Sequence, residues 1–174
     1  MLTAREIIRK LSLKPLPGEG GFYRETYRSE EKIPMKGLPA RYSSAKSFCT
    51  AIYYLLTPDT CSALHRLCSD EIFHFYLGDP VSMLQLHPGG TSQLLTLGQD
   101  VEKDEHLQVV VSRGTWLGAL LNEGGRFALM GTTMAPGFDF SDYEHGSRQE
   151  LIRQYPDRKE LILKLTPGLA KKES

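Results

Sequence analysis

His65-Arg66-Leu67-Cys68-Ser69-Asp70-Glu71-Ile72-Phe73-His74-Phe75-Tyr76-Leu77-Gly78 reads as strand, tight turn, strand. A period of two in its second half puts Glu71, Phe73, Phe75 and Leu77 on one face and Ile72, His74 and Tyr76 on the other. On either side, the runs 22–27, 48–56, 81–86, 93–97, 107–111, 115–121 and 127–133 are likewise short and rich in β-branched and aromatic residues. Turn residues separate them, among them Thr57-Pro58-Asp59, His87-Pro88-Gly89-Gly90 and Asn122-Glu123-Gly124-Gly125. No intervening segment is long enough for the helix of a parallel crossover, so the pattern is that of an antiparallel sandwich or barrel.

The ends of the chain have a different grammar. Thr3 and Glu6 form a capping box, Leu2 and Ile7 occupy staple positions, and Ile7, Ile8 and Leu11 make an apolar stripe. A short helix follows, stopped before Pro15, and 16–21 is a Pro/Gly loop. After Gly137, 147–155 reads as a helix with Ser147 as cap and Glu150 three residues on, ended by Pro156. The run 161–165 reads as a last strand and 170–174 as a frayed tail. The expectation is one domain over 1–174: helix and loop (1–20), β-barrel core (21–137), and C-terminal loop, helix and tail (138–174).

Composition narrows the function classes. Hydrophobic residues at 40% and charged residues at 24% suit a globular protein and argue against disorder. Lys plus Arg and Asp plus Glu both number 21, so no net charge draws the chain to nucleic acid or to anionic membranes, and neither is expected as a partner. Arg5, Glu6, Arg9 and Lys10 interrupt any secretory signal at the start, and the longest apolar runs are far short of the ~20 residues that span a bilayer. A cytoplasmic location is expected. Cys49, Cys61 and Cys68 are odd in number and lack C-x-x-C spacing, which suits reduced structural thiols. Dinucleotide-binding, P-loop, nucleophile-elbow and H-E-x-x-H signatures are absent from the sequence.

The chemistry-bearing residues concentrate at 65–74. His65 and Glu71, brought within about 5 Å as cross-strand neighbours over the Cys68-Ser69 turn, are the expected pair. A carboxylate beside Phe73 and Phe75 must be paired, solvated in a cavity or shifted toward its protonated form. An imidazole next to it can serve as general base or as metal ligand.

The spacing of Glu71 and Gly78 resembles that of the first cupin motif, in which a glycine follows the glutamate after six residues. More narrowly, Gly20-Gly21-Phe22-Tyr23-Arg24-Glu25-Thr26-Tyr27-Arg28-Ser29, the Ser69-Asp70-Glu71 segment with His74-Phe75-Tyr76, and Ala135-Pro136-Gly137-Phe138-Asp139-Phe140 are similar to the cupin-5 (DUF985) family, over about 20–165. The resemblance implies an all-β fold, an antiparallel double-stranded β-helix (cupin jelly-roll barrel) with short N- and C-terminal helices. It also implies a homodimer, and a family without an assigned general reaction. Its architecture is similar to that of germins, seed storage proteins and sugar-nucleotide epimerases, a likeness of fold alone.

Departures from the metal-binding cupin pattern are as informative. Aligning His65 with the first histidine puts Leu67 at the second, and aligning Gly114 with the glycine of the second motif puts Leu117 at the last histidine. With two of four ligands replaced, His65 and Glu71 are the residues left to hold a divalent metal, and no cofactor is expected. His74 has the wrong parity to help, and His106 stands at the start of its strand.

The expected partner is a small polar or sugar-like molecule, with His65 and Glu71 as catalytic candidates and Arg24, Phe73, Phe75 and Tyr143 as ligand-binding candidates. Arg24 and Arg28 share a face in strict alternation, as a solvated edge or an anion clamp. Tyr143, with Asp139 and Asp142 in the loop after Gly137, is an acid partner for a base at His65. Three function classes stay open: a metal-independent isomerase or epimerase, a metal-dependent dioxygenase or isomerase, and a non-catalytic binding or scaffold protein.

Overall fold

Short apolar runs punctuated by Gly, Pro and Asp pair into antiparallel ladders in the computed structural model, which describes residues 2–167. The tail expected at 170–174 lies outside them. The chain runs through α1 (Ala4–Lys10), β1 (Lys14–Pro15), β2 (Phe22–Arg28), β3 (Lys32–Ile33), β4 (Lys46–Ser47), β5 (Thr50–Leu56), β6 (Cys61–Leu67) and β7 (Glu71–Gly78). It continues through β8 (Val81–Leu86), β9 (Ser92–Leu97), β10 (Gln108–Val111), β11 (Trp116–Leu121), β12 (Ala128–Met134) and β13 (Tyr143–His145) to α2 (Arg148–Gln154) and α3 (Lys159–Lys164). One sheet has the order β1-β2-β5-β12-β7-β10, the other β13-β6-β11-β8-β9, and β3-β4 form a separate pair. This is a jelly-roll sandwich.

Three apolar clusters follow from the alternation of faces. The largest lies between the sheets and holds Phe73, Phe75, Tyr54, Met83, Leu117 and Met130. Full burial of such side chains contributes about 1.5–3 kcal/mol each. Outside the six-stranded sheet, α1 buries Ile7 against Leu55, Phe127 and Leu129. Outside the five-stranded sheet, Leu151, Tyr155, Ile162 and Leu165 cover Leu64, Leu84 and Trp116. The capping box of α1 is present, with the Glu6 amide donating to Thr3 Oγ1 at 3.3 Å and the Thr3 amide to Glu6 Oε2 at 2.9 Å. Among the described residues no helix is long and apolar enough to cross a membrane, and all three cysteines are free thiols.

Four local expectations need correction. The run 161–165 is helical: Ile162 and Leu165 are fully buried while Leu163 is 42% exposed, the three-residue step of a helix rather than the alternation of a strand. Ser147 stands at the start of α2, yet its side chain makes no capping hydrogen bond. A β-bulge between Phe75 and Leu77 flips the parity of β7, so Leu77 leaves the face of Phe75 and joins the cluster under α1. A second bulge between Glu25 and Tyr27 does the same in β2, which separates Arg24 from Arg28. The bulges spend one residue each, and every side chain beyond them changes sides.

Candidate functional site

β6 and β7 belong to opposite sheets. His65 and Glu71 are therefore not ladder neighbours; they face each other across the sandwich interior and line one cavity of about 480 Å³. The third wall of that cavity is the Pro/Gly loop before β2, which carries Glu19. Gly20 lets this loop lie flat against β6. Its φ is +99°, and a Cβ there would run into the carbonyl oxygen of Cys61. The loop is tied down by the Ala63 amide donating to the Glu19 carbonyl at 2.8 Å, and by Tyr54 Oη donating to the Gly20 carbonyl at 3.0 Å.

His65 is held with one nitrogen committed and one available. Its Nδ1 lies 2.8 Å from the Ala63 carbonyl oxygen, an acceptor only, so Nδ1 carries the proton in that bond. The neutral ring then keeps its lone pair on Nε2, which faces Glu19 Oε2 at 3.9 Å. The other Glu19 oxygen accepts from Ser62 Oγ at 2.8 Å. Tyr143 stacks on the imidazole, with ring centroids 4.9 Å apart and planes 14° from parallel. Sequence reading missed Glu19, although the loop's glycines announced a backbone pressed against something.

Glu71 is the second carboxyl of the cavity and only 8% exposed. Burial pushes its pKa up to about 7; the Glu19 carboxylate adds to the shift, while His65 and a hydrogen bond from Thr132 oppose it. Its Oε2 is buried without a hydrogen-bond partner among the described residues. The phenol oxygen of Tyr143 is in the same state, and burial, helped by Glu19 and Glu71, raises that phenol's pKa. A basic nitrogen, a carboxylate and a carboxyl that is half protonated near neutrality thus share one enclosure.

The other candidates fall around this centre in different ways. Phe73 and Phe75 pack in the core rather than on the cavity wall. Arg24 borders the cavity, with its guanidinium over the ring of Tyr53 at 5.4 Å. Arg28, across the bulge, forms a two-pronged pair with Glu25 at 2.7 and 3.0 Å and donates to the Phe138 carbonyl at the cavity mouth. His74 lies outside the cavity, its ring nitrogens within hydrogen-bond distance of Gln108 and Thr133.

The model of the family described as Cupin superfamily (DUF985), Cupin_5, matches residues 5–146. The chain belongs to the Cupin_5 family. Among relatives of this cupin, an uncharacterized protein of Saccharomyces cerevisiae, YML079W, is 29% identical over 133 residues, which cover 72% of this chain and 66% of the relative. Protein SO0799 from Shewanella oneidensis has a solved structure that matches with a TM-score of 0.83 and 34% identity, over 95% of this chain and 98% of the other. A hypothetical protein from Leishmania major matches with a TM-score of 0.84 and 30% identity, over 95% and 99%. Oxalate decarboxylase from Bacillus subtilis shares the fold alone, with a TM-score of 0.54 and 16% identity over 92% of this chain and 38% of that one.

Bacillus subtilis oxalate decarboxylase, which shares the fold, has Mn(II) centres, and the residues of this chain can be tested for the fit of such a metal. Leu117 stands directly opposite His65 in the β6–β11 ladder, buried in the core, and Leu67 lines the cavity two residues from His65. Both place hydrocarbon where a second and third imidazole would be needed. Among the described residues no group of three or more His, Cys, Asp or Glu is placed to hold a metal ion. The side chains present do not fit the group.

Proposed function

We propose that this cupin binds a small polar, keto-sugar-like molecule in the cavity between its sheets and moves a proton on it without a metal, as an isomerase or epimerase. The observation that carries the reading is the held imidazole: Nδ1 tied to the Ala63 carbonyl, Nε2 turned to the Glu19 carboxylate. In this reading Nε2 takes the proton from a carbon next to a carbonyl, the C–H electron pair passes into an enolate, and Glu19 stabilises the imidazolium that forms. Glu71, half protonated near neutrality, supplies a proton or a hydrogen bond to the developing oxyanion. Return of the proton from His65 to the neighbouring carbon, with Glu71 giving a proton to one oxygen and taking one from the other, completes an isomerisation; delivery of a proton by Glu71 to the opposite face of the same carbon completes an epimerisation. Leu67 and Leu117 at the sites of missing ligands support the metal-free form of the reaction.

The reading includes a homodimer, which the exposed Leu107 and Val110 at the β10 edge support. The functional test is solvent deuterium incorporation, followed by proton NMR in D2O, with dihydroxyacetone, ketohexoses and 2-keto sugar acids as probes. The wild-type protein is expected to label at least one probe beside its carbonyl, and His65→Asn to lose that rate by about 100-fold or more. No labelling of any probe, or equal labelling by His65→Asn, overturns the assignment.

A further inference from the structure

Lys46 and Asp142 form an ion pair whose side chains are only 1% and 2% exposed. Both Asp142 oxygens lie 2.8 Å from Nζ. Ser141 Oγ lies 3.2 Å from it, and the ring of Tyr42 has its centroid at 5.9 Å. A buried pair of this kind is a poor way to add stability, because removing two charges from water offsets most of their attraction. Its placement suggests a different return. Lys46 belongs to β4, outside both large sheets, and Asp142 immediately precedes Tyr143 in the three-residue edge strand β13.

The side chain of Tyr143 has no polar tether among the described residues, since its buried hydroxyl lacks a hydrogen-bond partner; its backbone pairs with Leu67 in the three-residue β13–β6 ladder. Its ring is fixed by neighbours: stacked on His65, and edge-on to His145 with centroids 4.7 Å apart. His145 in turn lies against the Glu19 loop, where a Cβ on Gly18 would come within 3.1 Å of the imidazole carbon. The column therefore runs from the Glu19 loop through His145 and Tyr143 to His65. Upstream of the Lys46 contacts, the Gly137 and Phe138 amides donate to the Ser47 carbonyl and Thr50 Oγ1. Downstream, the Glu144–Arg66 pair is 55% and 41% exposed, and such pairs hold little. Beyond the short backbone ladder to β6, Asp142 is the buried side-chain tie nearest the tyrosine.

We infer that Lys46 and Asp142 are positioning residues: their ion pair anchors the chain where it enters β13 and, together with the three-residue β6 ladder, holds Tyr143 stacked on His65, and so sets the orientation of the candidate base. The inference rests on the reading of His65 as that base. The pair acts through Tyr143 and touches no bound molecule.

The test replaces the pair by hydrocarbon of similar volume, Lys46→Met with Asp142→Leu, an exchange that protein cores often accept without loss of stability. Two quantities are read: the thermal unfolding midpoint, and the ring proton shifts of His65 in a carbon–proton correlation spectrum. Tyr143→Leu supplies the reference for the unstacked imidazole. The expected result is a folded double variant whose His65 protons have moved to the positions seen in Tyr143→Leu. A folded double variant with wild-type His65 shifts overturns the inference and leaves the pair as a staple. If the double variant does not fold, Asp142→Asn takes its place, and unchanged His65 shifts there overturn the inference equally. Because the shifts need no substrate, a wild-type protein without exchange activity refutes the proton-transfer reading separately from this one.

Discussion

The carboxylate that faces His65 Nε2 belongs to Glu19, at 3.9 Å, and not to Glu71. This divides the two cavity carboxyls by role. Glu19 is anchored by Ser62 and positioned to stabilise an imidazolium, whereas Glu71 is buried deeply enough to hold its own proton near neutrality. Glu19→Gln keeps the shape and removes the charge, so exchange into a labelled probe is expected to fall by roughly tenfold or more, because the imidazolium formed in the reaction loses its counter-charge. The variant should fold as the wild type does, because Ser62 can still donate to the amide oxygen. Wild-type exchange rates in Glu19→Gln would remove Glu19 from the account.

Glu71 makes stability depend on pH. Its folded pKa of about 7 lies above the ordinary value of 4.5, so between those limits the folded state binds more protons than the unfolded chain. The stabilisation is fully present below about pH 4.5 and is lost as pH rises through 7, a change on the order of 3 kcal/mol for a shift of this size. Glu71→Gln should abolish that portion of the slope and exceed the wild type in stability at pH 8. Urea denaturation of both proteins at pH 5 and pH 8 measures it; parallel curves would show that Glu71 titrates normally.

Close approach of the Glu19 loop to β6 predicts unequal glycines. Gly20→Ala forces a Cβ into the Cys61 carbonyl at a positive φ, so it should cost more than about 2 kcal/mol and displace Glu19. Gly89 has a similar φ of +95° with nothing within 4 Å, so Gly89→Ala should cost only the backbone term of about 1–2 kcal/mol. Equal losses in the two variants would mean that the loop is not pressed on β6 as described.

A metal-free proton transfer should survive chelation. Exchange by protein dialysed against EDTA is expected to match that of untreated protein, as Leu67 and Leu117 leave the cavity short of ligands. Activity lost on dialysis and restored by Mn(II) or Zn(II) would return the metal-dependent reading to first place.

Much of the fold was legible because local and global signals agree. Turns rich in Gly, Pro and Asp bracket runs whose β-branched and aromatic content suits a pleated surface, and the capping box marked α1. The run 161–165 failed because five residues of Leu, Ile and Lys fit either period; burial of Ile162 and Leu165 against the second sheet decides it. Bulges near Thr26 and Tyr76 carry no sequence mark, and each reverses the parity from which Arg28 and Leu77 were placed. His65 and Glu71 were found through local spacing, but their relation runs between sheets and not along a hairpin. Glu19 and the Lys46–Asp142 pair come together only through long-range closure of the chain, which one sequence does not display.

The role of His65 as base depends on which of its nitrogens carries the proton. Long-range nitrogen–proton correlation NMR of the wild-type protein, at a pH where the ring is neutral, reads this directly. The account predicts the tautomer protonated at Nδ1, with Nε2 showing the shift of an unprotonated nitrogen and with the pattern retained in Glu19→Gln. A neutral ring protonated at Nε2 would leave no lone pair facing Glu19, and would contradict the assignment of His65 as the base.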